Sequence, residues 1–197
     1  MHLIQHECYH IYNRGNNRKR IFFSPDNYLF FLGKIRKLLM PCADILAWCL
    51  MPNHFHLMIH ANEASIAERK SNGGIPMQEF SYRLGILQSS YTQAINKTQR
   101  QSGSLFQQKA SCKLLHNFSS SQQDDSIENC FHYIHANPSE SSIVNDPAEW
   151  PYSSLQDYLG IRAGNLCNKE LLKSISGLDD NLIRIWRALQ ISQYSER

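Results

Sequence analysis

Asp44-Ile45-Leu46-Ala47-Trp48-Cys49-Leu50-Met51-Pro52-Asn53-His54-Phe55-His56-Leu57-Met58-Ile59-His60 is the stretch on which the fold turns. Two short apolar runs flank Pro52-Asn53. Proline presets φ and asparagine accepts turn geometry, so the dipeptide marks a tight turn, and the runs beside it have strand rather than helix length. The segment reads as a β-hairpin, with strands from Asp44 to Met51 and from His54 to His60. Upstream, Glu7 to Asn13 alternates in the manner of a strand, and Arg14 to Arg20 is a turn-rich basic loop. Ser24 as cap and Pro25 at the first helical position predict a helix to about Leu39, ended by Pro41. Downstream, the polar stretch from Ala61 to Gly74 reads as a flexible linker. Met77, Phe80, Leu84, Leu87, Tyr91 and Ile95 recur at helical spacing, and that helix ends before Gly103. Ser111 to His116 predicts a fourth strand, followed by a Ser- and Gln-rich loop. Asp124 or Asp125 is placed to cap a helix that turns Ile127, Phe131 and Ile134 to the core and stops near Pro138. Two short helical patterns follow, around Leu171 and from Ile183 to Leu189.

The order strand-helix-strand-strand-helix-strand-helix predicts an α+β, ferredoxin-like fold: an antiparallel sheet with helices packed mainly on one face. Residues 1–160 are expected to form one domain and 161–197 a small helical C-terminal extension. At 197 residues and 42% hydrophobic the chain can bury a substantial core, and 11% aromatic content argues against disorder. Ile45 to Met51, the apolar run at its centre, is too short to span a bilayer, so no membrane association is expected. No cationic stretch followed by an apolar signal region opens the sequence, which points to the cytoplasm. Cys8, Cys42, Cys49, Cys112, Cys130 and Cys167 are scattered, without a C-x-x-C pair, which fits reduced thiols and excludes a zinc ribbon or disulfide scaffold.

Charge is unevenly placed. Before Pro41, Arg14, Arg18, Lys19, Arg20, Lys34, Arg36 and Lys37 face only Glu7 and Asp26. From Ser81 to His116 there are Arg83, Lys97, Arg100, Lys109 and Lys113 with no acidic residue. Two such stretches suit either a polyanion-binding face or ordinary solubilising surface.

His54-Phe55-His56 is the sharpest local signal. Residues two apart on a strand share a face, so both imidazoles can reach one metal, although paired surface histidines produce the same pattern. In the later helix Tyr133 and Asn137 stand one turn apart at the border of the core-facing stripe, placed either to pack or to look across at the sheet. Tyr91 belongs to an apolar stripe and reads as core.

Several blocks are recognisable in order. Trp48 to Leu57 resembles the HUH block of single-tyrosine transposases, U being a bulky apolar residue. Tyr9-His10-Ile11-Tyr12-Asn13-Arg14-Gly15 is similar to their opening strand and loop. Ser102 to Gln107, Tyr133 to Pro138 and Trp150-Pro151-Tyr152-Ser153-Ser154 complete a pattern most like REP-associated tyrosine transposases, running from about Tyr9 to Tyr158. The resemblance implies an HUH catalytic domain that cuts and rejoins single-stranded, hairpin-bearing DNA through a covalent 5′-phosphotyrosine. Tyr133 would be the nucleophile, and His54, His56 and Asn137 would hold Mg²⁺ or Mn²⁺. Many relatives carry Gln in the third ligand position; Asn137 is shorter, so its helix must come closer. His132 and His135 lie on other faces of that helix and are expected at the surface or outside the ligand sphere, with His60 also outside.

DNA contacts fall to the basic loop and the second basic stretch. Arg14, Arg18, Lys19 and Arg20 would grip a hairpin, with Asn13, Asn16 and Asn17 available for base edges. Lys109 and Lys113 would contact phosphates. Phe22, Phe23 and Phe106 are candidates either for stacking unpaired bases or for the core. A monomer is the expected state, with a homodimer as the alternative. Competing functions are a hairpin-DNA-binding protein that no longer cuts, a His-x-His metallohydrolase without a covalent step, and an RNA-binding protein. The last lacks the aromatic strand motifs such a sheet carries.

Overall fold

The apolar hairpin builds the middle of the sheet, and its two strands are buried along nearly their whole length. The computed structural model describes residues 1–70, 74, 76–116 and 126–195. Its strands are β1 (Cys8–Arg14), β2 (Asp44–Met51), β3 (His54–His60), β4 (Glu68–Lys70), β5 (Pro76–Gln78) and β6 (Ser111–Leu115). Its helices are α1 (Pro25–Leu38), α2 (Glu63–Ile66), α3 (Glu79–Gln99), α4 (Ile127–Glu140), α5 (Leu155–Tyr158), α6 (Lys169–Ser176) and α7 (Asp180–Ser195). The main sheet has the antiparallel order β2-β3-β1-β6, and β4 and β5 form a separate two-stranded ribbon.

One face of the sheet carries the larger core. Phe31 and Ile35 of α1 and Phe80, Leu87 and Tyr91 of α3 pack there with Ile11, Phe55, Leu57 and Ile59. On the other face, Ile127, Phe131 and Ile134 of α4 meet Leu46, Ala47, Met51 and Met58. Leu172 of α6 and Ile183 of α7 join this second core. The α+β class and the antiparallel sheet are as expected, whereas the helices divide between both faces instead of gathering mainly on one. The reason lies in β2 and β3 themselves, which are apolar on both sides, and a strand of that kind needs cover on both.

Other departures are local. The expected linker begins as structure: Asn62 caps α2 in a capping box with Ser65, and β4 pairs with β5. Ser24 occupies the N-cap of α1 but makes no side-chain capping bond there. Asp124, Asp125 and the Ser- and Gln-rich loop lie outside the described residues; α4 is capped by Ser126, whose side chain accepts from the Asn129 amide at 3.1 Å. Pro138 falls inside the last turn of α4, which continues to Glu140. Proline lacks the N–H that would bond the Ile134 carbonyl, and only two residues follow it before the helix ends.

The segment from Trp150 to Ser154 runs along the outer edge of β2. Leu50 N donates to the Tyr152 carbonyl at 2.8 Å, Ser154 N to the Trp48 carbonyl at 2.9 Å, and Trp150 Nε1 to the Leu50 carbonyl at 3.1 Å. Tyr152 stacks on Tyr28 of α1 at 3.7 Å, so the strap reaches the first core as well. Among the described residues no helix is long and apolar enough to cross a membrane.

Candidate functional site

Strand alternation sets the site. Phe55 and Leu57 enter the larger core, so His54 and His56 project to the opposite face. The antiparallel register sets Tyr12 opposite His56 and Arg14 opposite His54. α4 crosses the same face, and between it and the sheet lies an open cleft of about 710 Å³. His54, His56, Tyr133 and Asn137 all line it, together with His10 and Lys113.

The hydrogen bonds around His54 have an unusual balance. Asn53 Nδ2 donates to the Arg18 carbonyl at 3.3 Å, which turns Asn53 Oδ1 toward His54 Nδ1, 2.6 Å away. Asn137 Nδ2 donates to the Tyr133 carbonyl at 3.0 Å, which turns Asn137 Oδ1 toward His54 Nε2 at 3.3 Å. Both amides therefore present oxygen to one imidazole. Burial lowers the His54 pKa, so the ring is neutral and has one proton for two acceptors. With that proton on Nδ1, bonded to Asn53, the Nε2 lone pair faces an amide oxygen.

His56 is 3% exposed, and its Nε2 is buried without a hydrogen-bond partner among the described residues. Burial, and after it the neighbouring His10, holds its pKa well below the ordinary imidazole value. Neutral imidazole nitrogens and an amide oxygen pointing into one cleft are the donor chemistry a cation completes. Oxygen suits Mg²⁺ or Mn²⁺, whereas paired imidazoles alone also suit Zn²⁺. Among the described residues no cluster of three or more His, Cys, Asp or Glu side chains is arranged to hold a metal. The donor set here rests on Asn137, and its short side chain reaches because α4 packs against β2 and β3.

Tyr133 is 47% exposed and stands edge-on to His56 and His10, with ring centroids 5.5 and 5.9 Å apart. Tyr91 is core, as its stripe implies: it is fully buried, donates to the Ile21 carbonyl at 2.8 Å, and has its pKa pushed up by burial.

The basic loop is built against the hairpin turn. Gly15 N donates to the Asn53 carbonyl at 2.8 Å, Asn16 N to the Leu105 carbonyl at 3.0 Å, and Ile21 N to the Pro52 carbonyl at 2.8 Å. Gly15 is required there, because a Cβ at that position would sit 2.1 Å from the Lys19 carbonyl oxygen. Arg14 is exposed at the cleft, and Asn17, Arg18, Lys19, Arg20 and Lys109 are exposed. Asn16 Nδ2 is engaged by the Ser104 carbonyl at 2.9 Å.

Two of the expected residues, Asn13 and His135, sit deeper than their place in the sequence suggests. Asn13 is buried, its Nδ2 donating to Gln88 Oε1 at 2.6 Å and its Oδ1 accepting from Arg14 N at 2.8 Å, so its amide is spent tying β1 to α3. His135 is fully buried rather than superficial; it follows Phe131 by one helical turn, shares that apolar face, and pairs through Nε2 with Ser154 Oγ at 2.8 Å. His132 stacks on Trp186 of α7, with ring centroids 4.8 Å apart. Of the three phenylalanines, Phe22 and Phe106 are core and Phe23 is exposed.

His10 was not among the expected site residues. It is 7% exposed, its Nε2 lies 2.8 Å from His56 Nδ1, and burial with Lys113 nearby lowers its pKa to about 4. Its spacing from Tyr12 places it on the cleft face of β1, but only the strand register brings it to His56.

No described protein family and no curated protein matched the chain. Solved structures did. One, a REP-associated tyrosine transposase bound to a REP hairpin, aligns with a TM-score of 0.60 at 16% identity, over 85% of this chain and 92% of that one. The likeness is one of fold.

Proposed function

We propose that this chain is a metal-dependent single-tyrosine enzyme that cuts and rejoins single-stranded, hairpin-bearing DNA in the cytoplasm, acting as a monomer. Tyr133 is the nucleophile, and His54, His56 and Asn137 hold Mg²⁺ or Mn²⁺. The observation that carries this reading is the convergence, in one open cleft of one chain, of two neutral imidazoles, an amide oxygen turned toward them and a half-exposed tyrosine. The fold shared with a hairpin-bound transposase supports the substrate class.

A phosphodiester repels an attacking oxyanion, and a divalent ion bound here would neutralise it and favour the phenolate. Tyr133 Oη attacks phosphorus, the bond to the 3′ oxygen breaks, and the tyrosyl proton ends on that oxygen as a 3′-hydroxyl. The 5′-phosphate stays on Tyr133 as a phosphodiester. Because no bond energy is lost to water, a 3′-hydroxyl can reverse the step and rejoin DNA without ATP. Arg14 and Lys113 flank the cleft to hold phosphates, while Arg18, Lys19, Arg20 and Lys109 supply charge for the hairpin.

The test is a library of labelled single-stranded hairpin oligonucleotides incubated with Mg²⁺ or Mn²⁺ and resolved on a denaturing gel. A covalent protein–DNA adduct is expected that requires metal and disappears in Tyr133→Phe and His56→Ala. Hairpin binding with no adduct under any metal would refute cutting and leave a DNA-binding protein that keeps only the fold. An adduct that survives in Tyr133→Phe would refute the choice of nucleophile.

A further inference from the structure

His10 is the buried polar group at the cleft for which the proposed chemistry has no use, and its geometry has a definite consequence. β1 and β3 pair so that Tyr12 faces His56 directly. His10, two residues before Tyr12 on the same face, is then the diagonal neighbour of His56, within reach of an aromatic side chain. The two rings stack with centroids 5.0 Å apart, and His10 Nε2 lies 2.8 Å from His56 Nδ1. Both residues are almost wholly buried.

That contact holds one proton, and its position decides what His56 offers the cleft. If the proton belongs to His10, His56 Nδ1 accepts and the remaining ring proton of His56 sits on Nε2. An N–H then points into the cleft, and a ligand position is lost. If the proton belongs to His56 Nδ1, His10 accepts and His56 Nε2 is a bare lone pair. His56 Nε2 is buried and has no partner among the described residues; in the second arrangement its lone pair is open to a cation, and in the first it is not. His54 has the equivalent device within its own turn, where Asn53 Oδ1 takes the Nδ1 proton.

We infer that His10 is a positioning residue: by accepting the Nδ1 proton of His56 across the sheet, it fixes the tautomer and ring orientation that make His56 Nε2 a metal ligand. The inference rests on the metal-dependent reading above. It goes beyond that reading by assigning to β1 a role in metal affinity that neither the HUH block nor α4 supplies. Partners of this kind behind a ligating histidine are worth roughly 10–100-fold in metal affinity.

The experiment measures Mn²⁺ binding to the DNA-free protein through the electron paramagnetic resonance signal of unbound Mn²⁺. His10→Phe, which keeps a ring in the stack but offers no acceptor, is expected to bind roughly 10–100-fold more weakly. His10→Gln, whose Oε1 can accept from His56, is expected to recover most of that loss. Wild-type affinity in His10→Phe, with binding still abolished by His56→Ala, overturns the role of His10 and leaves the metal site standing. Wild-type protein whose Mn²⁺ binding is indifferent to His54→Ala and His56→Ala overturns both. A second measurement needs no variant: long-range ¹H–¹⁵N spectra of the metal-free protein report histidine tautomers directly. The expected result is His56 protonated on Nδ1, and protonation on Nε2 refutes the inference even if His10→Phe does not fold.

Discussion

Replacing Ser154 with alanine should unfasten the helix that carries Tyr133. The Ser154 hydroxyl accepts from Trp48 N at 2.9 Å, lies 3.2 Å from the Trp48 carbonyl and pairs with His135 Nε2 at 2.8 Å, all without exposure to water. Alanine removes the partner of a β2 backbone N–H and of an α4 imidazole nitrogen together. An orphaned buried polar group costs about 1–3 kcal/mol, so the pair amounts to about 2–6 kcal/mol. Against the 5–15 kcal/mol typical of a whole domain, that is a large fraction. Urea unfolding followed by tryptophan fluorescence measures it, since Trp48 and Trp150 both sit beside the substitution. The expected result is a midpoint shifted to lower urea with the slope unchanged, together with a lower yield of covalent adduct at temperatures where the fold still holds. A loss below about 1 kcal/mol with normal adduct yield would show that Ser154 does not fasten α4 to the sheet edge.

Three further perturbations test other parts of the structure. Gly15→Ala drives a Cβ against the Lys19 carbonyl, a backbone atom that cannot rotate away, and should cost roughly 1–3 kcal/mol along with hairpin affinity; an unchanged melting temperature would contradict the close approach. Arg14→Ala and Lys113→Ala should each reduce the slope of log affinity against log salt by about 0.7–0.9 without altering the preferred sequence, and a slope equal to wild type would remove that residue from the phosphate-binding set. His132, whose pKa burial lowers to about 4, binds its proton more readily unfolded than folded between pH 6.5 and 4. Stability should therefore fall as pH drops through that window, by up to about 1.4 kcal/mol per pH unit for this group. His132→Phe should flatten the fall, and urea midpoints in which the variant keeps the full acid slope would refute it.

β1, α3 and α4 were legible because each carries a period of two or of three to four, α1 because Ser24-Pro25 opens it, and the hairpin because two apolar runs of strand length flank Pro52-Asn53. What lay beyond a one-dimensional pattern was everything decided across strands. Leu46 sits in a bulge where the β2–β3 register shifts, so Leu46 and Ala47 both turn to the second core and the alternation changes phase before Trp48. No local composition announces that. The proximity of His10 to His56 depends on register in the same way. Asn13, at the end of its strand, looks available in the sequence, and only its Gln88 and Gln107 partners, far along the chain, show that it is buried. For His135 the helical angle from Tyr133 gives only a different face, at the surface or behind the ligands, while its place one turn after Phe131 puts it on the buried stripe.

The two cores on opposite faces of the sheet also bear on how such a protein can change over generations. Phe22, Phe31, Phe55, Phe80, Tyr91 and Phe106 concentrate the aromatic packing on the side away from the cleft. Tyr12, Arg14, His54 and His56 belong to the other side of the same strands. Substitutions among the cleft side chains therefore leave the larger core with its full set of contacts. Lineages can explore substrate choice at little cost in foldedness, while a change at Phe55, one residue from either histidine, strikes the scaffold and leaves the chemistry's own side chains untouched.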